Sequence, residues 1–384
     1  GETIIETCRL STSHVRLGAP LPGSVYDEHG TMLLSKGQIL ESQTQLDALL
    51  ARGMYVELSV FEAHFRNSGS SAAAPIEKKF DPFLVRTTMK GSLNRLLRTI
   101  IDGSGTPEQI VDFADHVRDF AHIDSEAAIA ASLLERQEES HAAGHSLNTA
   151  ILCALLSKRL EWPDERRRSL ICAALTMNLG MLDLQQRLLR QASPLTPPLQ
   201  AQIEAHPAAA LEALKQIGVT DPVWLNAVAQ HHEKPGGAGY PGHVDAPAEN
   251  GQLLRLCDVF LARASLRADR HPLPPAQIIK TLFVEEGQGP NGPLVACMVK
   301  FLGLYPPGCF VKLANGEVAV VFRAGEAANT PTVASVSTAS GMPAMQPVRR
   351  DTHREGFGIA STVAPDKVSL GYDLGKLWVT NARS

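Results

Sequence analysis

Residues 229–242 read Ala229-Gln230-His231-His232-Glu233-Lys234-Pro235-Gly236-Gly237-Ala238-Gly239-Tyr240-Pro241-Gly242. Two adjacent histidines close an apolar helical pattern. The nine residues 234–242 then hold four glycines and two prolines. Glycine permits positive φ and close backbone approach, and proline stiffens the path. A stiff loop beside imidazoles reads either as a ligand-facing rim or as an ordinary turn after a surface helix.

Working outward, the pattern stays helical from about residue 125 to 301. Asp221-Pro222 and Thr196-Pro197 each pair a capping side chain with proline at the first helical position, and Trp162-Pro163-Asp164 breaks one helix and caps the next. Nothing in this block alternates with period two. His206 precedes Pro207, where a helix should kink or restart. His141 and His145 share one helix face. Asp258 lies in Leu253-Leu254-Arg255-Leu256-Cys257-Asp258-Val259-Phe260-Leu261-Ala262, which is apolar nearly all round and so reads as a buried helix. A buried carboxylate needs a cation or several donors. Arg255 or Arg263 can supply a salt bridge; a metal ion is the alternative.

Outside this block the chain is mixed. Residues 1–66 read as a small α/β unit. Ser24-Val25-Tyr26 and Met32-Leu33-Leu34 flank a turn at Asp27-Glu28-His29-Gly30, and Ser42 caps a helix that ends at Gly53. Residues 67–79 read as a linker and 80–124 as a helical connector. After Tyr305-Pro306-Pro307-Gly308, Asn315-Gly316 separates two apolar runs as in a hairpin, so 302–384 reads as a β-rich extension. The six cysteines form no Cys-x-x-Cys pair, and no apolar run reaches the ~18 residues of a membrane span. The simplest reading is a cytoplasmic chain with no membrane partner. A net charge of -4 and 5% aromatics exclude a basic or aromatic platform for nucleic-acid polymers. Of 13 histidines, six fall between His141 and His243.

His231-His232-Glu233 followed by Gly237-Ala238-Gly239-Tyr240-Pro241 resembles the HHE…GxGYP pattern of the HD-GYP family. His145, with Ser146 and Asn148, resembles that family's first metal histidine. His206-Pro207 resembles its His-Pro step, and Asp258 its late metal aspartate. The order agrees over about 125–301. The resemblance implies a mainly α fold: an HD-superfamily helical bundle carrying a small N-terminal α/β unit and a C-terminal β extension. It implies a metal site at His145, His206, His231, His232 and Asp258. It also implies a loop for substrate or a signalling partner at Gly237, Gly239, Tyr240 and Pro241. The activity implied is metal-dependent hydrolysis of the bacterial messenger cyclic di-GMP.

Five positions depart from the family pattern. The His-Asp doublet that names the family is Met177-Asn178 here, the lysine three positions further on is Met181, and the acidic residue one turn before His145 is His141. Gly236 stands where an aspartate often precedes the glycines. The doublet aspartate bridges cations with two anionic oxygens. Asn178 is neutral, and the Met177 thioether suits soft ions rather than hard or borderline ones. Three imidazoles can still hold one divalent transition metal, with iron, manganese, zinc and nickel all compatible, or the site can be metal-free. The expected protein binds cyclic di-GMP or a signalling partner with impaired or absent hydrolysis. The alternative is an active phosphodiesterase with an atypical site in which His141 replaces the missing acid.

Overall fold

The computed structural model describes residues 7–27, 32–65, 78–135, 141–188, 194–265, 271–370 and 372–381. The expected turn at 28–30 and most of the expected linker lie outside them. In chain order the strands are β1 Thr7–Arg9, β2 Val25–Tyr26, β3 Met32–Leu34, β4 Tyr55–Glu57 and β5 Lys78–Phe80. Five more follow late in the chain: β6 Phe310–Leu313, β7 Val318–Arg323, β8 Thr332–Ser337, β9 Pro343–Asp351 and β10 Ile359–Val363. The last is β11, Thr380–Asn381. The helices are α1 Gln43–Arg52, α2 Leu58–His64, α3 Pro82–Ile101, α4 Pro107–Ile123, α5 Ser125–Leu133 and α6 His141–Arg159. They continue as α7 Asp164–Thr176, α8 Leu182–Leu188, α9 Pro197–Gln216 and α10 Pro222–Gln230. The series ends with α11 Glu249–Ala264, α12 Pro275–Glu286 and α13 Gly292–Leu302. The fold is mainly α, as expected, with an antiparallel sheet near each end of the chain.

The chain forms two compact units, residues 1–89 with 372–384, and residues 90–371. These cuts differ from the composition-based boundaries. β5 begins within the stretch read as a linker. The connector helix α3 starts in the first unit, and the stretch 302–384 is shared between the two.

In the first unit the strand order is β11-β5-β1-β4-β2-β3. Its capping is as read: the Ser42 hydroxyl accepts the Gln45 N–H, and Gly53 ends α1 at φ 82°. Cys8, Val25, Leu46, Met54, Val56 and Phe61 are buried together. The chain's end completes the sheet, with Thr380 opposite Phe80. Trp378 is fully buried, its ring 5.5 Å from that of Phe83. Trp378→Ala should cost this unit about 3–5 kcal/mol, the usual toll for emptying an aromatic core site. Urea unfolding followed by near-ultraviolet circular dichroism checks this, and a loss below ~1 kcal/mol would contradict the packing.

The second unit is the helical bundle. Every residue of α6 from His141 to Ser157 is buried, and α11 buries Gly251–Asp258 along with Phe260, Leu261 and Ala264. α6 packs on α4, α7 and α11, while α10 packs on α7, α9 and α11. A five-stranded sheet of order β10-β6-β7-β8-β9 belongs to this unit. Its first hairpin turns at Asn315-Gly316 as read, with Gly316 at φ 93° and the Asn315 side chain accepting the Glu317 N–H. Arg323 holds Asp124, the cap of α5, through two hydrogen bonds of 2.5 and 2.7 Å. Among the described residues, no helix is long and apolar enough to cross a membrane.

Candidate metal centre

His206, His231 and His232 form a cluster whose candidate ligand atoms all lie within 4.8 Å of one another. It is assembled by α9 and by the end of α10. Helix α9 runs unbroken through Pro207, where a kink or restart was expected. Proline has no N–H for the carbonyl of the residue four positions earlier, which is Ile203. The His206 ring takes that place: its Nδ1–H donates to the Ile203 carbonyl at 2.5 Å. His231 does the same at the end of α10, where the last carbonyls lack helical partners. Its Nδ1–H donates to the Val228 carbonyl at 2.7 Å.

Those two bonds decide the chemistry of the opposite nitrogens. A carbonyl only accepts, so each Nδ1 carries the proton and each Nε2 of the neutral ring presents a lone pair. The two Nε2 atoms face each other at 3.0 Å. Burial, then the neighbouring His231, pushes the His206 imidazole down to about 3, so it is neutral near pH 7. Burial likewise lowers His231 and His232. Two lone pairs at this distance repel unless a cation lies between them. Two nitrogen ligands at right angles, each ~2.1 Å from one ion, stand ~3.0 Å apart. The three residues therefore fit a borderline divalent metal.

His145 and Asp258 stand in a different arrangement. The His145 Nε2 and Asp258 Oδ1 are 2.6 Å apart, both residues buried. Burial would raise the Asp258 carboxyl, but the hydrogen bond from His145 holds it well below the usual carboxylate range. The salt bridges read as its alternatives go elsewhere, Arg255 to Glu286 and Arg263 to Glu285. The Asp258 charge acts on all three clustered imidazoles. His141 is buried beside His145, ring centroids 6.2 Å apart, and does not enter the cluster.

The doublet and lysine positions are buried: Met177 completely, Asn178 and Met181 nearly so. Their segment lies against the His206 turn, since a Cβ on Gly180 would sit 3.3 Å from the His206 carbonyl oxygen. Met181 packs with Leu184, Leu199 and Ile203, so an apolar contact occupies the lysine position.

The glycine-rich loop folds back onto the histidines. Tyr240 N–H donates to the His232 carbonyl at 3.1 Å, and its ring stacks on His232 at 4.7 Å and 16°. Burial, with Asp258 and Glu204 nearby, pushes the Tyr240 hydroxyl above its ordinary range. The Tyr240–Pro241 peptide is cis, and Gly236 and Gly237 take positive φ. Gly239 is required for space, because a Cβ there would lie 2.3 Å from Lys234 N and 2.4 Å from Glu233 Cα and the His232 oxygen. Gly239→Ala should cost about 1–3 kcal/mol through overpacking. Faster amide exchange at Tyr240 reports the displaced loop, and an unchanged rate would contradict the packing.

Two further side chains hold the loop: Glu233, already seen in the His-His-Glu stretch, and Gln252, which carried no local signal. The buried Glu233 carboxylate accepts the N–H groups of Gly242 at 2.5 Å and Val244 at 3.1 Å, closing the loop. Gln252 donates to the Glu233 carbonyl at 2.8 Å and accepts from Asn291 at 2.8 Å. Neither pairing has a spacing that the sequence could reveal; only Pro207, beside His206, was a visible clue.

The imidazole cluster and the folded-back loop belong to one helical bundle. Residues 127–289 match the HD domain family. Within that match, Met177-Asn178 stands where the HD-GYP pattern has its His-Asp doublet. The chain is similar to the cyclic di-GMP phosphodiesterase PA4108 of Pseudomonas aeruginosa, 29% identical over 194 residues, or 49% of this chain and 46% of the relative. The chain thus spans about half the length of that curated relative. A solved structure, Bd1817, an HDG"Y"P protein from Bdellovibrio bacteriovorus, is 16% identical and covers 77% of this chain and 99% of its own, with a TM-score of 0.49.

Proposed function

We propose that the chain is a one-metal HD-GYP protein that binds cyclic di-GMP and hydrolyses it poorly or not at all. The observation that carries this is the absence of a bridging anion. Met177 and Asn178 occupy the doublet positions, and the Asp258 carboxylate is hydrogen-bonded to His145. His206, His231 and His232 would hold a single divalent ion, which when bound acts as a Lewis acid toward a phosphate oxygen. The chain's own residues do the rest. The carbonyls of Ile203 and Val228 hold two imidazoles in the ligating tautomer, and Glu233 and Gln252 hold the loop that carries Tyr240. A second cation would lack its main charge compensation. The resemblance to a cyclic di-GMP phosphodiesterase supports this ligand.

Calorimetric titration with cyclic di-GMP, with and without Mn²⁺, tests the reading. Saturable binding with little product is the expected result. Cleavage at ordinary enzymatic rates, about 1 s⁻¹ or faster, would overturn the impaired-hydrolysis claim. Absence of any binding would reduce the domain to a structural role.

A further inference from the structure

We infer that Pro207 is a positioning residue: by withholding a backbone N–H from the Ile203 carbonyl, it reserves that oxygen for His206 and fixes which ring nitrogen faces the cluster. An uninterrupted helix would use the Ile203 carbonyl for the N–H of residue 207. Proline removes that donor, and the His206 Nδ1–H occupies the place at 2.5 Å. The interior proline is otherwise a liability, since it is the poorest residue for a helix interior. It sits in a helix that stays continuous and buries both His206 and Pro207. The helix thus gives up one backbone hydrogen bond and gains a side-chain one that orients an imidazole. His231 needs no such device, because the Val228 carbonyl is already freed by the end of α10.

The inference deepens the one-metal reading, but one of its readouts does not depend on metal. Pro207→Ala restores the missing N–H with little change in bulk. In the metal-free protein, long-range ¹⁵N–¹H correlation of labelled histidines should show His206 as the Nδ1–H tautomer. In Pro207→Ala it should show a mixture with the Nε2–H form, while His231 stays unchanged. Co²⁺ affinity should fall about 10–100-fold, the scale of losing an outer partner that orients a ligand. The thermal midpoint of the metal-free variant should stay level or rise, because the helix interior gains a better residue. A merely structural proline would instead leave the tautomer unmoved. An unchanged His206 tautomer overturns the inference, and would mean that the Ile203 oxygen accepts both donors at once. If neither protein takes up Co²⁺, the one-metal reading fails, and the tautomer measurement still decides the role of Pro207.

Discussion

His231→Ala should abolish uptake of the single transition-metal ion that we propose the unaltered chain takes up from Mn²⁺, Fe²⁺ or Zn²⁺. The expected loss exceeds the roughly 10–100-fold that follows from removing an outer hydrogen-bond partner, because a ligand itself is gone. The two Nε2 atoms stand 3.0 Å apart, each deprived of its proton by a carbonyl on the far side of its ring. Alanine leaves one lone pair with nothing to share. The same variant uncouples metal from stability. An ion held at 1,000 times its Kd stabilises a folded chain by ~4 kcal/mol, so chelation should lower the melting point of the unaltered chain and leave that of His231→Ala where it was. Isothermal titration and melting curves with and without chelator check both halves. Full-affinity uptake by His231→Ala would show that the ion sits elsewhere.

Met177→His combined with Asn178→Asp should raise the metal content from one ion to two and confer hydrolysis of cyclic di-GMP. The restored carboxylate offers two oxygens, which is what two neighbouring cations need to offset their repulsion. The segment is suitably placed, with its backbone packed on the His206 turn. A rate gain on the order of 10²–10³-fold over the unaltered chain is expected, comparable to adding one well-placed electrostatic stabiliser. The gain stops short of full activity, because Met181 still stands in an apolar cluster where a cation would be needed. Metal analysis and chromatography of the dinucleotide product give both numbers. Equal hydrolysis by the two proteins would defeat the claim that the doublet limits this chain.

Much of the fold was legible because its signals are local. Ser42, Thr106 and Asp221 cap helices through their own side chains and the next few N–H groups, which sequence spacing alone specifies. Asn315-Gly316 makes its hairpin for the same reason. Short strands were harder. β1, β5 and β11 are two or three residues long and find partners from opposite ends of the chain, so no run of alternation announces them. The α2 helix, seven residues following directly on β4, was hidden by the same shortness.

The candidate site divides along the same line. His231-His232-Glu233 and Gly239-Tyr240 are neighbours in the chain, so their grouping at a helix end, and the need for a glycine there, follow from covalent proximity. The choice of partners does not. His145 meets Asp258 across 113 residues, while Arg255 and Arg263, on the same helix as Asp258, turn to Glu286 and Glu285. The facing of His206 toward His231 depends on how α9 and α10 pack, and so does the separation of three imidazoles from the His145–Asp258 pair. Residue types and their order therefore establish which candidate ligands of the resembled pattern are kept and which are missing. The packing of distant helices decides which nitrogens share one point in space, because hydrogen bonds and coordination are satisfied within about 3 Å and no spacing along the chain specifies that distance.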